Sequence, residues 1–186
     1  MGGETMKDLH EIIDQISPDD ALTVLKALAC EDEQLAARIV EKATLYLSNV
    51  DPEEVAVVLC DELDMLEAEE VWDRAGPKRH GYVDPGEAAH EMVQEVIGPF
   101  LQELRKYQNL VMRVQANQMC MGLLQGLYWF ERESRSEFKN WAVDTPAAFA
   151  EAIIDVWKGG VPEQADVQEV KAFIDEELNG WMERLH

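Results

Sequence analysis

Three proline-led segments constrain the fold of this chain more than any other feature. They are Ile16-Ser17-Pro18-Asp19-Asp20-Ala21, Val50-Asp51-Pro52-Glu53-Glu54-Val55 and Val83-Asp84-Pro85-Gly86-Glu87-Ala88, with prolines 34 and 33 residues apart. Each is a helix start. Ser17, Asp51 or Asp84 supplies an oxygen for the free N–H groups of the first turn. Proline takes the first helical position, where its missing N–H costs nothing. Asp20, Glu54 or Glu87 stands where it completes a capping box and favours the positive end of the helix dipole. The preceding Ile16, Val50 or Val83 is placed to staple the chain to the next turn.

Between these starts apolar residues recur at helical spacing, as in Leu22, Leu25 and Leu28, then Leu35, Ile39, Ala43 and Tyr46. Val55 to Leu59 is the best candidate for a strand, but the adjoining acids favour a helix start. The chain reads as all-α, with about nine helices, built either as stacked helical hairpins in a superhelix or as an irregular multi-helix bundle. The second halves of the first two units also match: Ile39-Val40-Glu41-Lys42-Ala43 parallels Val71-Trp72-Asp73-Arg74-Ala75 at a shift of 32 residues. Over residues 6 to 100 this pattern resembles HEAT-like and tetratricopeptide-like helical repeats. The resemblance is architectural and implies a stack of hairpins that binds through an extended face.

Residues 1–186 are expected to form one all-α domain. It admits a subdivision into acidic hairpin repeats over 1–76 and a bundle with a long central helix over 82–186. Gly76-Pro77-Lys78-Arg79-His80-Gly81 reads as the loop between them. A helix opens at Asp84-Pro85, and Gly98-Pro99 is expected to break or kink it. Asp144-Thr145-Pro146 opens a later helix closing at Gly159-Gly160, and Asp166 with Glu169 is expected to cap the last one.

The formal charge is −22, from 16 bases and 38 acids. Residues 1–77 carry 20 acids and 5 bases, residues 78–142 carry 8 and 8, and residues 143–186 carry 10 and 3. Such a surface repels phosphate backbones, so nucleic acid is not an expected partner. No apolar run approaches the about 20 residues that span a bilayer. Cys30, Cys60 and Cys120 are scattered and odd in number, without a CxxC, and Met1 to Met6 shows no secretory leader. Reduced thiols in the cytoplasm follow.

Catalytic patterns are missing. The sequence has no Gly-x-Ser-x-Gly, phosphate-binding glycine loop or HExxH, and no cofactor is expected. Cys120, between Met119 and Met121, reads as an inert buried thiol. Glu87-x-x-His90 and Glu183-x-x-His186 have the spacing by which helical bundles hold two metal ions. Against that, Glu87 already serves as a capping acid and His186 is the final residue. Gly122 and Gly126 form a small face that admits a neighbouring backbone, and Asn117, Gln118 and Gln125 are expected to share an amide network at that crossing. Trp129, Arg132, Arg135 and Trp141 combine the ring and guanidinium chemistry of binding hot spots. They are the candidate partner-binding residues.

The function expected is a non-enzymatic interaction module, an adaptor, regulator or assembly factor that binds another protein through a helical surface. Two alternatives come from other classes. One is a metal- or ligand-dependent bundle enzyme using Glu87 and His90. The other is an acidic mimic of nucleic acid that occupies a basic protein, motivated by the net −15 of residues 1–77.

Overall fold

The structure is a computed structural model that describes residues 13–79, 81–179 and 181. It is all-α apart from one small hairpin, with eight α-helices and one 3-10 helix among the described residues. Two compact units divide at Met1–Ser48 and Asn49–His186.

In the first unit, α1 (Pro18–Glu31) and α2 (Glu33–Leu47) pack against each other across a single connecting residue, Asp32. Asp32 is extended and its carboxylate accepts from the N–H groups of Gln34 and Leu35 at 2.7 and 3.2 Å. That cap both ends α1 and starts α2. No described residue of either helix is buried, and Leu22, Val40, Leu45 and Tyr46 all face solvent.

The second unit contains α3 (Pro52–Asp64), α4 (Ala68–Arg74), α5 (Pro85–Asn109), α6 (Arg113–Glu133), α7 (Thr145–Gly159) and α8 (Gln164–Glu177), with the 3-10 turn Glu137–Asn140 before α7. The prolines at 18, 52 and 85 all stand at helix starts. Ser17 accepts from the Asp20 N–H at 3.1 Å, whereas Asp51 and Asp84 accept one residue earlier, from Glu53 at 2.9 Å and Gly86 at 2.8 Å. An aspartate reaches that nearer donor and leaves the acid at the third position free for solvent.

Helix α6 is the axis of the unit. Its middle, from Ala116 to Phe130, is buried on nearly every side, and it packs on α3, α5, α7 and α8. Gly122 and Gly126 let α3 come close. A Cβ at Gly122 would lie 2.6 Å from the Pro52 carbonyl oxygen, and one at Gly126 would lie 2.9 Å from that of Ala56. Buried Ala56, Leu59 and Leu63 face inward from α3. Because α3 pairs chiefly with α6 rather than with its sequence neighbour α4, this unit takes the irregular-bundle form of the two arrangements anticipated.

Four sequence expectations are corrected here. The loop at 76–81 is part of an antiparallel hairpin, β1 (Gly76–Lys78) with β2 (Gly81–Val83), paired Gly76 to Val83, Pro77 to Tyr82 and Lys78 to Gly81. Gly76 and Gly81 adopt φ of +96° and +145°, which glycine alone takes without strain. The hairpin lies inside the second unit. Of the break or kink expected at Gly98-Pro99, the break is absent: α5 runs from Pro85 to Asn109, held on one side of Pro99 by buried Met92, Val93 and Ile97 and on the other by Leu104 and Tyr107. The helix α8 opens on Glu163, not Asp166, and Asp166 instead reaches back to accept from the Glu163 N–H at 2.8 Å. The amide network also differs. Asn117 bonds to α7 and α8, and no hydrogen bond among the described residues joins it to Gln118 or Gln125.

Two stability predictions arise from this backbone. Pro99 is exposed and withholds an N–H from the middle of α5, so Pro99→Ala should raise stability by about 1–3 kcal/mol in urea denaturation. Val111 and Val161, just beyond the ends of α5 and α7, hold φ of 57° and 54°, where a β-branched side chain is strained. Val111→Gly and Val161→Gly should each stabilise by about 1 kcal/mol in the same measurement. Unchanged or lower midpoints would contradict both statements.

Candidate functional site

Helix α3 carries an unusual charge pattern. Asp51, Glu53, Glu54, Asp61, Glu62 and Asp64 lie on or beside it, and no lysine, arginine or histidine occurs anywhere in residues 43–73. Its inner face is fixed on α6 by Ala56, Leu59 and Leu63. Its outer face therefore presents valines among carboxylates: Val57 and Val58 are 45% and 43% exposed. A cleft runs along each flank.

The cleft toward α5 has a volume of about 440 Å³. Val50, Val55 and Val58 form one wall, Pro99, Phe100 and Tyr107 the other, and buried Met119 of α6 is its floor. Asp51, Glu54, Glu62 and Glu103 also line it, and among the described residues no base does. Glu103 pairs with Lys106 at 2.6 Å. Among the described residues no cation lies in ion-pair range of Asp51, Glu54 or Glu62. Burial, and then the Glu103 carboxylate, push the Tyr107 hydroxyl up to about 12, so it remains a neutral donor to Glu103 at any physiological pH. The valines reach this wall because 51, 54, 55, 58 and 62 share one helix face, as do 99, 100, 103 and 107 on α5.

The opposite flank of α3 holds a second cleft of about 390 Å³, bounded by Val57, Cys60, Asp61, Asp64, Trp129 and Arg135 among others. Ser134 closes one end by donating to Asp64. Two of the four residues expected to bind a partner thus meet beside α3. The other two do not join them. Arg132 lies over the Tyr128 ring at 5.8 Å, and Trp141 packs edge-on against Trp72 at 4.7 Å.

The remaining candidates have structural surroundings. His90 stacks on Phe149 with ring centroids 4.7 Å apart, and Glu87 stands in the first turn of α5. Glu183 and His186 lie outside the described residues, among which no group of three or more His, Cys, Asp or Glu gathers as a metal site would require. Asn117, 1% exposed, accepts from Trp157 Nε1 at 3.0 Å and donates to Asp166 and Glu169 at 3.0 and 2.8 Å. It ties three helices together.

All three thiols are free. Burial, followed by the charges of Asp64, Asp61 and Glu133, raises the Cys60 thiol to about 11, and burial alone raises that of Cys120 further. Cys30 is exposed. The native protein should accordingly give one fast thiol with a disulfide reagent at pH 8, lost in Cys30→Ser, with Cys60 slow and Cys120 silent until unfolding. Two fast thiols in the native state would contradict these environments.

No family model, curated protein or solved structure matches the chain. Among the described residues no helix is long and apolar enough to cross a membrane. The outer face of α3, with its clefts, is therefore the candidate site on its own physical merits. Sequence reasoning named Trp129 and Arg135 but missed the valines and carboxylates. The signal available for them was the base-free run 43–73, in which Val55, Val57 and Val58 interrupt acids.

Proposed function

We propose that this chain is a non-enzymatic α-helical interaction module, an adaptor, regulator or assembly factor whose binding surface is the outer face of α3. The observation that carries this reading is the cleft between α3 and α5, apolar in its walls and floor and ringed by carboxylates. Two half-exposed valines on a helix whose other face is fully engaged form a surface that another apolar element would cover. Three unpaired thiols favour the cytoplasm as the compartment.

A photo-crosslinking residue placed at Val58 in the cell of origin tests the reading against the same residue at Val167, which is 42% exposed on α8. Val58 should give a protein adduct that Val167 does not. Identical adducts from both positions, or none from Val58, would remove α3 as the binding surface.

A further inference from the structure

We infer that the cleft between α3 and α5 receives a basic amphipathic helix of a partner protein, its apolar side on the valines and its lysines or arginines on the carboxylate rim. This rests on the interaction-module reading and specifies the partner's chemistry. Both walls are helix faces. On α3 the lining runs from Asp51 to Glu62 and on α5 from Pro99 to Tyr107. At 1.5 Å per residue these stripes are roughly 16 and 12 Å long, which is two to three turns of a docked helix. Two helical ridges with a trough between them accept a third helix lengthwise, with anchors at i, i+3 or i+4, and i+7. Among the described residues no strand edge lines the cleft, so an extended peptide would find no ladder there to join.

Charge selects the sign of the partner. Asp51, Glu54, Glu62 and Glu103 stand around the apolar floor, Lys106 pairs with Glu103, and the described residues offer the other three no cation. A second copy of the chain would bring −22 of its own and, in a twofold pairing, set the acids of one α3 against those of the other. A bare metal ion would find no gathered ligand set among the described residues, and the valines would give it nothing. A helix with leucine-like anchors and flanking bases satisfies both the walls and the rim.

The test titrates the full chain by calorimetry with a 14-residue helical peptide carrying leucine at i, i+3, i+4 and i+7 and lysine elsewhere. Three controls accompany it: the peptide with glutamate for lysine, a scrambled peptide of the same composition, and spermine. Saturable binding in the range of about 1–100 μM is expected for the leucine–lysine helix, and at least about 30-fold weaker binding for the glutamate version. The scrambled peptide should bind at least about 10-fold more weakly, because the same charges without an apolar stripe leave the cleft unfilled. Glu54→Gln with Glu62→Gln should weaken the leucine–lysine helix by about 5- to 10-fold and flatten its salt dependence. Val58→Ser, a change at an exposed position, should weaken it by about 5-fold with the thermal midpoint unchanged.

Equal binding of the glutamate peptide would overturn the charge inference while leaving α3 as a docking surface. Equal binding of the scrambled peptide or of spermine would reduce the interaction to adsorption and overturn it. Wild-type affinity in the Glu54→Gln, Glu62→Gln double variant would place the peptide elsewhere and do the same. Sedimentation showing a dimer that Val58→Ser dissolves would make a second copy the occupant. Absence of peptide binding alongside a Val58 crosslink in cells would overturn the inference and keep the module.

Discussion

Gly122→Val is expected to lower the stability of the second unit by about 3 kcal/mol, a fall in the thermal midpoint of roughly 6–12 °C. The new Cβ alone would stand 2.6 Å from the Pro52 carbonyl oxygen and 2.7 Å from Val55 Cβ. Neither neighbour can swing aside, because one is backbone and the other is the root of a side chain. Helix α3 must then lift from α6, which exposes Ala56 and Leu59. Gly122→Ala balances the same clash against the better helix propensity of alanine, worth about 1 kcal/mol, and should remain destabilising by about 1 kcal/mol. Gly98→Ala is the control. It lies inside α5 with nothing within 4 Å of its Cβ and should stabilise by about 0.5–1 kcal/mol. Scanning calorimetry of the three variants checks both signs, and a stable Gly122→Val would mean that α3 does not sit where it is described.

Asn117→Asp should be more damaging still near neutrality, by about 3–5 kcal/mol. Its amide nitrogen donates to Asp166 and Glu169, and the substitution turns that donor into a third acceptor between two carboxylates. Three such groups cannot all remain ionised, so at least one folded-state pKa rises above its unfolded value. A raised carboxyl pKa contributes stability below the unfolded value and loses it as pH climbs through the folded one. The deficit of the variant should therefore shrink as pH falls from 7 toward about 4. Asn117→Leu removes the donor without adding charge. It strands the buried Trp157 Nε1 and takes one donor from each acid, and should cost about 2–4 kcal/mol with a weaker dependence on pH. Parallel denaturation at pH 7 and pH 5 separates the two. A deficit in Asn117→Asp that widens toward pH 5 would contradict the network.

Local chemistry made much of this fold legible. A serine or aspartate followed by proline fixes where a helix starts, so the caps at Ser17, Asp51 and Asp84 are where the sequence puts them. The four-residue spacing of Gly122 and Gly126 likewise announces a close helix crossing, without saying which helix comes. What escaped the sequence depends on distant parts of the chain. Pro99 stays inside α5 because Ile97 and Leu104 are buried on either side of it, an anchorage no local rule contains. The hairpin at 76–83 has strands of three residues, too short for alternation to show. Glutamate is a poor N-cap in isolation, so Glu163 gave no sign that α8 begins beside it. The candidate site was hardest to see. Its walls come from Asp51 to Glu62 and from Pro99 to Tyr107, and its floor from Met119, which become neighbours only once α3 has settled on α6.

Amide hydrogen exchange of the full chain, alone and saturated with the leucine–lysine helix, tests the α3 surface most directly. Slowed exchange is expected in residues 52–64 and 97–107, the two walls of the cleft, with residues 145–177 unchanged. Slowing confined to residues 145–177, with α3 exchanging as in the free chain, would contradict it.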